Sequence, residues 1–316
     1  MSAPVLSIGI TTRDRPEALL RCLQSLTKLH HLRPDVIVFD DASAVPVADT
    51  LRNASLPIHP RVLRDDNGPG YIVGRNRLAR AAQAPVILML DDDAVIAGSE
   101  AIERGLAVLE QDAAVGAVGF AQAHLDGTRW DDRMQPSTSR VPCKVSSFIG
   151  FAHLLRLETF ARLGGYRESF VTIGEEKDLC LRLIDAGYSV VYLADAEVVH
   201  EPDPGGRSKL RFLRYTTRND ALNALYNEPW HRVAWMVPAR FALYFKMRRA
   251  WGVADPWGWV WVAREVAAQA GAIARERRPV SAATRRTWKR LRQAPERYVE
   301  ARAAAQPVVS SAGGAS

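Results

Sequence analysis

Three consecutive aspartates, Asp91-Asp92-Asp93, end an apolar run from Pro85 to Leu90. The run is too short for most helices and reads as a buried strand. Carboxylates gathered at the end of such a strand repel one another unless a cation or hydrogen-bond donors share them. They point to a hard divalent cation, Mg2+ or Mn2+, of the kind usually shared with a phosphate ligand. The competing reading is a polar turn after a strand. A second acidic group, Glu175-Glu176, stands between Gly174 and the helical pattern Leu179 to Ile184. At a helix start the free N–H groups and the dipole favour anions. The pair therefore reads either as capping charge or as a carboxylate able to take a proton from a hydroxyl. His200 closes a strand-like stretch containing Val198-Val199. Its ring is either a satisfied structural group or a further ligand beside a carboxylate-bound cation. Arg75-Asn76 follows the loop Gly68-Pro69-Gly70. It is either a surface pair, or Arg75 faces the strand-end acids or a diphosphate.

Strands and helices in alternation must position these groups. Val5 to Ile10 reads as a first strand, and Pro16 opens an amphipathic helix with Leu19, Leu20, Leu23 and Leu26. Val36 to Phe39 is a second strand ending at Asp40-Asp41, and Pro60 to Leu63 a third. A helix spans Tyr71 to Ala82, before the strand that ends in the aspartate triplet. Such alternation implies an α/β, mostly parallel sheet covered on both faces. Sheets of this class bind ligands at the carboxyl ends of their strands. Three polar clusters fall there: Thr11-Thr12-Arg13, Asp40-Asp41 and Asp91-Asp92-Asp93. Short strands and helices mix from Val115 to Pro204, and from Lys209 the pattern turns helical. The division expected is 1–206, 207–303 as a basic helical region, and a small, polar, disordered tail over 304–316.

The 316 residues are 47% hydrophobic, enough for one large core or one domain with an appendage. Net charge is +7, but Arg240 to Arg302 alone holds 15 Lys and Arg against five Asp and Glu. Basic character thus belongs to the C-terminal region. Cys22, Cys143 and Cys180 are odd in number and far apart, with neither a disulfide framework nor zinc spacing. This favours a reducing, cytoplasmic compartment. The first residues lack a signal-peptide pattern, and no uncharged stretch reaches the roughly eighteen residues of a membrane span. The phosphate loop GxxxxGK[ST] is absent, and no GxGxxG follows the first strand, which argues against ordinary kinases and dehydrogenases.

Taken in order, these pieces resemble the family 2 glycosyltransferases, inverting enzymes of the GT-A fold. Ser7 to Pro16 looks like the opening strand and loop. Val38-Phe39-Asp40-Asp41-Ala42-Ser43 resembles V-V-D-D-G-S, with Ala42 in place of glycine. Gly70 through Gly74-Arg75-Asn76 is similar to the glycine-plus-A-R-N helix start, and Leu90 to Asp93 to the D-x-D metal motif. Gly164-Gly165-Tyr166 and Gly174-Glu175-Glu176-Lys177-Asp178-Leu179 look like G-G-F/Y and G-E-D-x-D-L. His200 fits a histidine that often follows, and Arg218-Asn219 an R-N pair common in bacterial members.

The resemblance implies a GT-A catalytic domain with a C-terminal helical extension. It implies a nucleotide-sugar donor, UDP- or dTDP-linked, and a glycan, lipid-linked or small-molecule acceptor. Thr11, Arg13, Asp40, Asp41, Arg75, Asp91 and Asp92 would hold the nucleotide sugar. Asp91, Asp93 and His200 would hold Mn2+ or Mg2+. Glu176 takes the place of the family's aspartate base, with Glu175 just before it; either could serve, and Glu176 is the expected one. A non-catalytic sugar-nucleotide binder of the same fold is the competing reading. For the tail, with Trp251, Trp257, Trp259, Trp261 and Trp288 among its Arg residues, three readings compete. They are a helical bundle, peripheral docking at the inner face of the membrane, and nucleic-acid binding. Nucleic acid is not the expected partner.

Overall fold

A computed structural model describes residues 4–202 and 208–300. The boundary expected at 206 and the tail expected from 304 lie outside the described residues. The chain begins with β1 (Ser7–Thr12), α1 (Pro16–Ser25), β2 (Asp35–Asp40), α2 (Val47–Arg52), β3 (Arg61–Arg64), α3 (Tyr71–Ala81) and β4 (Val86–Asp91). Next come β5 (Ala94–Val95), α4 (Glu100–Gln111), β6 (Val115–Ala123), β7 (Cys143–Lys144), β8 (Ala152–Arg156) and α5 (Leu157–Arg162). After α6 (Glu175–Asp185) and β9 (Ser189–His200) the chain is largely helical. It runs through α7 (Lys209–Asn227), α8 (Trp230–Ala250), α9 (Gly258–Ala268), α10 (Ala270–Glu276) and α11 (Ala282–Gln293), and closes on β10 (Glu296–Arg297).

One sheet organises the molecule, in the order β10-β7-β9-β6-β8-β4-β1-β2-β3, with β5 joined to β9. The first half, β3-β2-β1-β4, is parallel throughout. β6 and β9 are also parallel, and β8 runs antiparallel between β6 and β4. The expected α/β architecture is therefore present, with antiparallel strands in its second half. Successive strand residues point to opposite faces, and both faces are apolar. Ile8, Val38, Leu88 and Leu154 join one core with Leu19 and Leu23 of α1. Ile37, Ile87, Met89 and Leu155 join the other with Leu78 of α3 and Leu179 of α6. Pro16 stands in the first turn of α1, where its missing N–H costs nothing.

Strand register brings the polar ends together. Thr11 pairs with both Phe39 of β2 and Asp91 of β4, and Thr12 pairs with Asp40. The two-residue β5 follows the aspartate triplet and pairs antiparallel with the end of β9, setting Ala94 opposite His200. A backbone bond from Glu201 N to Asp93 O (2.9 Å) tightens this return.

The helical region is tied to the sheet at several places. α8 packs against α7, and α7 against α9. Beyond Arg275 the chain folds back: Ser281 and Thr284 bond Asp185 at the end of α6, and β10 adds an edge strand to β7. Arg104 on α4 holds Glu300 in turn.

Candidate active site

A cleft of about 1060 Å3 opens at the carboxyl ends of β1, β2 and β4. Its opposite wall is the start of α6, and the first turn of α7 borders it through Ser208, Arg211 and Phe212. Thr11, Arg13, Asp41, Arg75, Asp91, Asp92, Glu175, Glu176 and His200 all line it.

On the sheet side each acid has a fixed partner. Asp91 Oδ1 accepts from Arg75 Nη2 at 2.7 Å. Asp92 accepts from the Thr12 hydroxyl (2.7 Å) and from Arg15 (2.6 Å), and the same guanidinium reaches Asp93 Oδ2 at 2.9 Å. Burial pushes the Asp92 carboxyl up to about 7, against the pull of Thr12 and Arg15.

His200 is oriented from behind. Its Nδ1 lies 2.6 Å from Gln122 Oε1, and the Gln122 amide NH2 donates to the Met134 carbonyl. A carbonyl only accepts, so this bond fixes Oε1 as the atom facing the ring. Nδ1 then carries a proton, and Nε2 faces Asp93 Oδ1, 3.4 Å away. The ring also belongs to a stack of four: Phe151, His200, Trp130 and His124, with centroids 4.8, 5.4 and 5.0 Å apart.

Asp91, Asp93 and His200 each offer a ligand atom within 4.8 Å of the others. Asp93 Oδ1 is buried and takes no hydrogen bond. A carboxylate oxygen without a hydrogen bond, beside an imidazole nitrogen that ligates when neutral, is a donor set suited to Mn2+ or Mg2+. The residues present therefore fit the expected metal.

The helix side is built from a strained loop. Val171 and Ile173 hold φ of +63° and +65°, and Gly174 +90°. β-Branched residues rarely enter this region. Asn219 of α7 holds them there by donating to the carbonyls of Phe170 (3.0 Å) and Ile173 (2.7 Å). The buried Arg218 adds a bond to Ser169 O at 2.8 Å. The chain then enters α6. Glu175 is fully buried and accepts from Arg75 Nη1 at 3.1 Å, while Glu176 is half-buried at the cleft. Burial raises both carboxyls; the charge of Glu176 adds to the effect on Glu175, and Arg75 opposes it at each. A Cβ on Gly150 would overlap Glu176 Oε1 where it stands, so a side chain there would displace this carboxylate. Asp178, one turn on, is buried among Arg167, Arg182 and Asn227 and faces the protein interior.

Arg75 joins the two walls: one guanidinium binds Asp91, Glu175 and the Gly150 carbonyl (2.8 Å). Of the alternatives for Arg75, the surface pair is ruled out.

Asp40 departs from the expectation that it reaches the ligand. It is fully buried, and its carboxylate is taken up by Ser43 N (2.9 Å), Val47 N (3.0 Å) and Arg64. It braces the loop after β2, while its neighbour Asp41 faces the cleft and accepts from Gly70 N at 2.9 Å. Ala42, where the resembling motif carries glycine, is left-handed at φ +59°. Three residues gained no role from sequence: Arg15, Gln122 and Asn219. Gln122 did carry a signal, as the one side-chain amide in the otherwise apolar Val115–Ala123.

Residues 7–167, just over half of the chain, match the family described as glycosyl transferase family 2. The chain belongs to that family. The uncharacterized protein y4gI of Sinorhizobium fredii (strain NBRC 101917 / NGR234) is 26% identical over 231 residues, covering 62% of this chain and 24% of y4gI. The chain thus spans about a quarter of that relative's length. Among solved structures, a mannosyltransferase from Pyrobaculum calidifontis, in complex with GDP-Man and Mn2+, superposes with a TM-score of 0.57 at 17% identity. The match covers 93% of this chain and 85% of that one. GalNAc-T7 with UDP, GalNAc and Mn2+ gives 0.57 at 16% identity, covering 86% and 58%. TarS of S. aureus, over its residues 1–349, gives 0.58 at 13%, covering 91% and 87%. At these identities the likeness shows a shared GT-A-like fold.

Proposed function

We propose that the chain is an inverting glycosyltransferase that moves a sugar from a nucleotide-diphosphate sugar to an acceptor hydroxyl. The observation that carries this reading is Arg75, a buried guanidinium in contact with Asp91 on one wall and Glu175 on the other. It fixes a cation-binding acid group and a base-bearing helix start across one cleft. Family membership and the GDP-Man or UDP in the solved relatives support the nucleotide sugar. In this reading Thr11, Arg13 and Asp41 bind the nucleotide side of the donor, and Asp40 keeps their loop in shape. Asp91, Asp93 and His200 hold the divalent cation, Mn2+ or Mg2+. When bound, the cation offsets charge on the departing diphosphate.

Glu176 is the base. Its half-buried carboxylate faces the cleft, whereas Glu175 is enclosed against Arg75. Burial raises its proton affinity, which suits a group that must accept a proton from a hydroxyl. As the proton leaves, the acceptor oxygen attacks the anomeric carbon opposite the diphosphate, and one displacement inverts the centre. The same reading divides the chain into a catalytic part over 1–206 and a helical region over 207–303.

A thermal-shift screen of UDP-, dTDP- and GDP-sugars with Mn2+ or Mg2+, followed by turnover of labelled donors, tests it. Stabilisation by one donor only when metal is present, with sugar transfer to an acceptor, is the expected result. Stabilisation without any transfer would favour a sugar-nucleotide binder, and full turnover in chelator would remove the metal assignment.

A further inference from the structure

The helical region carries an exposed aromatic face that the proposed chemistry does not use. Phe212 at the start of α7 contacts Trp251 after α8, with ring centroids 5.8 Å apart. Asp255 ties the same corner together, accepting from Arg214 (2.6 and 2.8 Å) and from the Tyr244 hydroxyl (2.7 Å). Gly258 packs against that Asp255–Tyr244 pair. Within two residues of these groups stand Leu210, Leu243, Phe245, Trp257 and Trp259, all exposed, as are Phe212 and Trp251 themselves; Trp257 is 73% exposed. Aromatic side chains gathered at one corner and left open mark a contact surface.

The charge around them says what the surface fits. Lys209, Arg211, Lys246 and Arg249 are exposed beside the aromatics. The acids between 208 and 264 are Asp220, Glu228 and Asp255, and each is already paired with an arginine or lysine. The corner is therefore aromatic and net positive. Such a surface matches anionic headgroups, with indole rings at the interface and lysine and arginine stems reaching outward. No described helix is long and apolar enough to cross a bilayer, so contact there is peripheral.

We infer that this corner, from the first turn of α7 to the start of α9, docks on an anionic membrane surface. Arg211 and Phe212 belong to it and also border the cleft. Docking therefore turns the cleft mouth toward the headgroups, where a lipid-borne hydroxyl is the accessible acceptor. Vesicle binding is measured without donor, so its failure leaves the transferase reading standing.

The test is co-sedimentation of the full chain with phosphatidylcholine vesicles, with and without phosphatidylglycerol. Binding should require the anionic lipid and weaken as salt rises. Trp257→Ala with Trp259→Ala should lower the partition coefficient about tenfold or more. Trp230→Ala, at the opposite end of α8 and roughly 30 Å away, should change nothing. Brominated lipid should quench tryptophan emission of the unaltered protein, which decides the matter should the double variant misfold. No binding, or no quenching, overturns the inference. So does undiminished binding by a folded double variant, or a dimer in solution that this variant dissociates, which would give the face to a second copy.

Discussion

The two acidic walls of the cleft are held by different means. The strand-end wall is largely a product of the sheet: register sets Thr11 beside Asp91, Thr12 and Gln122 reach their partners from the strands, and Arg15 adds its guanidinium from the start of α1. The helix-start wall hangs from outside. Its loop takes up conformations that valine and isoleucine disfavour, and Asn219, more than forty residues further along the chain, keeps it there. A sheet can fix groups for cation binding cheaply, because neighbouring strands align their ends. The carboxylate proposed as base sits instead on a wall whose shape a separate helix controls.

The sharpest test of this contrast is Glu176→Gln. It should lower kcat by about 10²–10⁴-fold while sparing donor affinity, measured by steady-state kinetics and donor titration. Glu176→Asp should keep part of the rate, and Glu175→Gln should act chiefly on stability, through the loss of an Arg75 partner. A near-normal Glu176→Gln with an inactive Glu175→Gln would reverse the two roles.

On the other wall, Gln122→Leu should weaken Mn2+ affinity about 10–100-fold, because His200 loses the group that sets its tautomer. Asp93→Asn, which removes a proposed ligand, should do at least as much and leave the fold intact. Calorimetric titration of Mn2+ reads both. Asn219→Ala should separate the walls: a stability loss of about 1–3 kcal/mol from unsatisfied carbonyls, a lower kcat, and unchanged Mn2+ affinity. Equal damage to metal binding would mean that the walls move together.

A smaller effect is expected in the pH profile. Burial raises the Glu176 carboxyl, so the required anion is lost as pH falls while ordinary glutamates are still ionised. The acid limb of kcat should therefore lie above the usual glutamate range of roughly 4–4.5. Smallest of all, Ala42→Gly should stabilise the protein by up to about 1 kcal/mol in denaturant unfolding, by relieving a left-handed alanine.

What the sequence makes legible follows the same division. Apolar runs ending in acids locate the strand ends, since period and polarity suffice there. Two adjacent acids do not reveal which one faces the ligand, and Asp40 turns inward because Ser43, Val47 and Arg64 supply its partners. Glu175 and Glu176 could be placed at a helix start from Gly174 and the pattern that follows. Their difference in burial depends on Arg75, a hundred residues earlier in the chain. The tail was harder still. Its basic composition leaves three readings open, and the part after Arg275 returns to α6 and β7. The exposed aromatics collect earlier, where Phe212 meets Trp251.

The stack through His200 has a thermodynamic consequence. Phe151 covers one face of the imidazole and Trp130 the other, and Gln122 pins its edge. The ring has surrendered its rotational freedom during folding. A cation bound at Nε2, as proposed, would therefore add no further entropy penalty at that side chain, and the corresponding ordering cost lies in the stability of the fold.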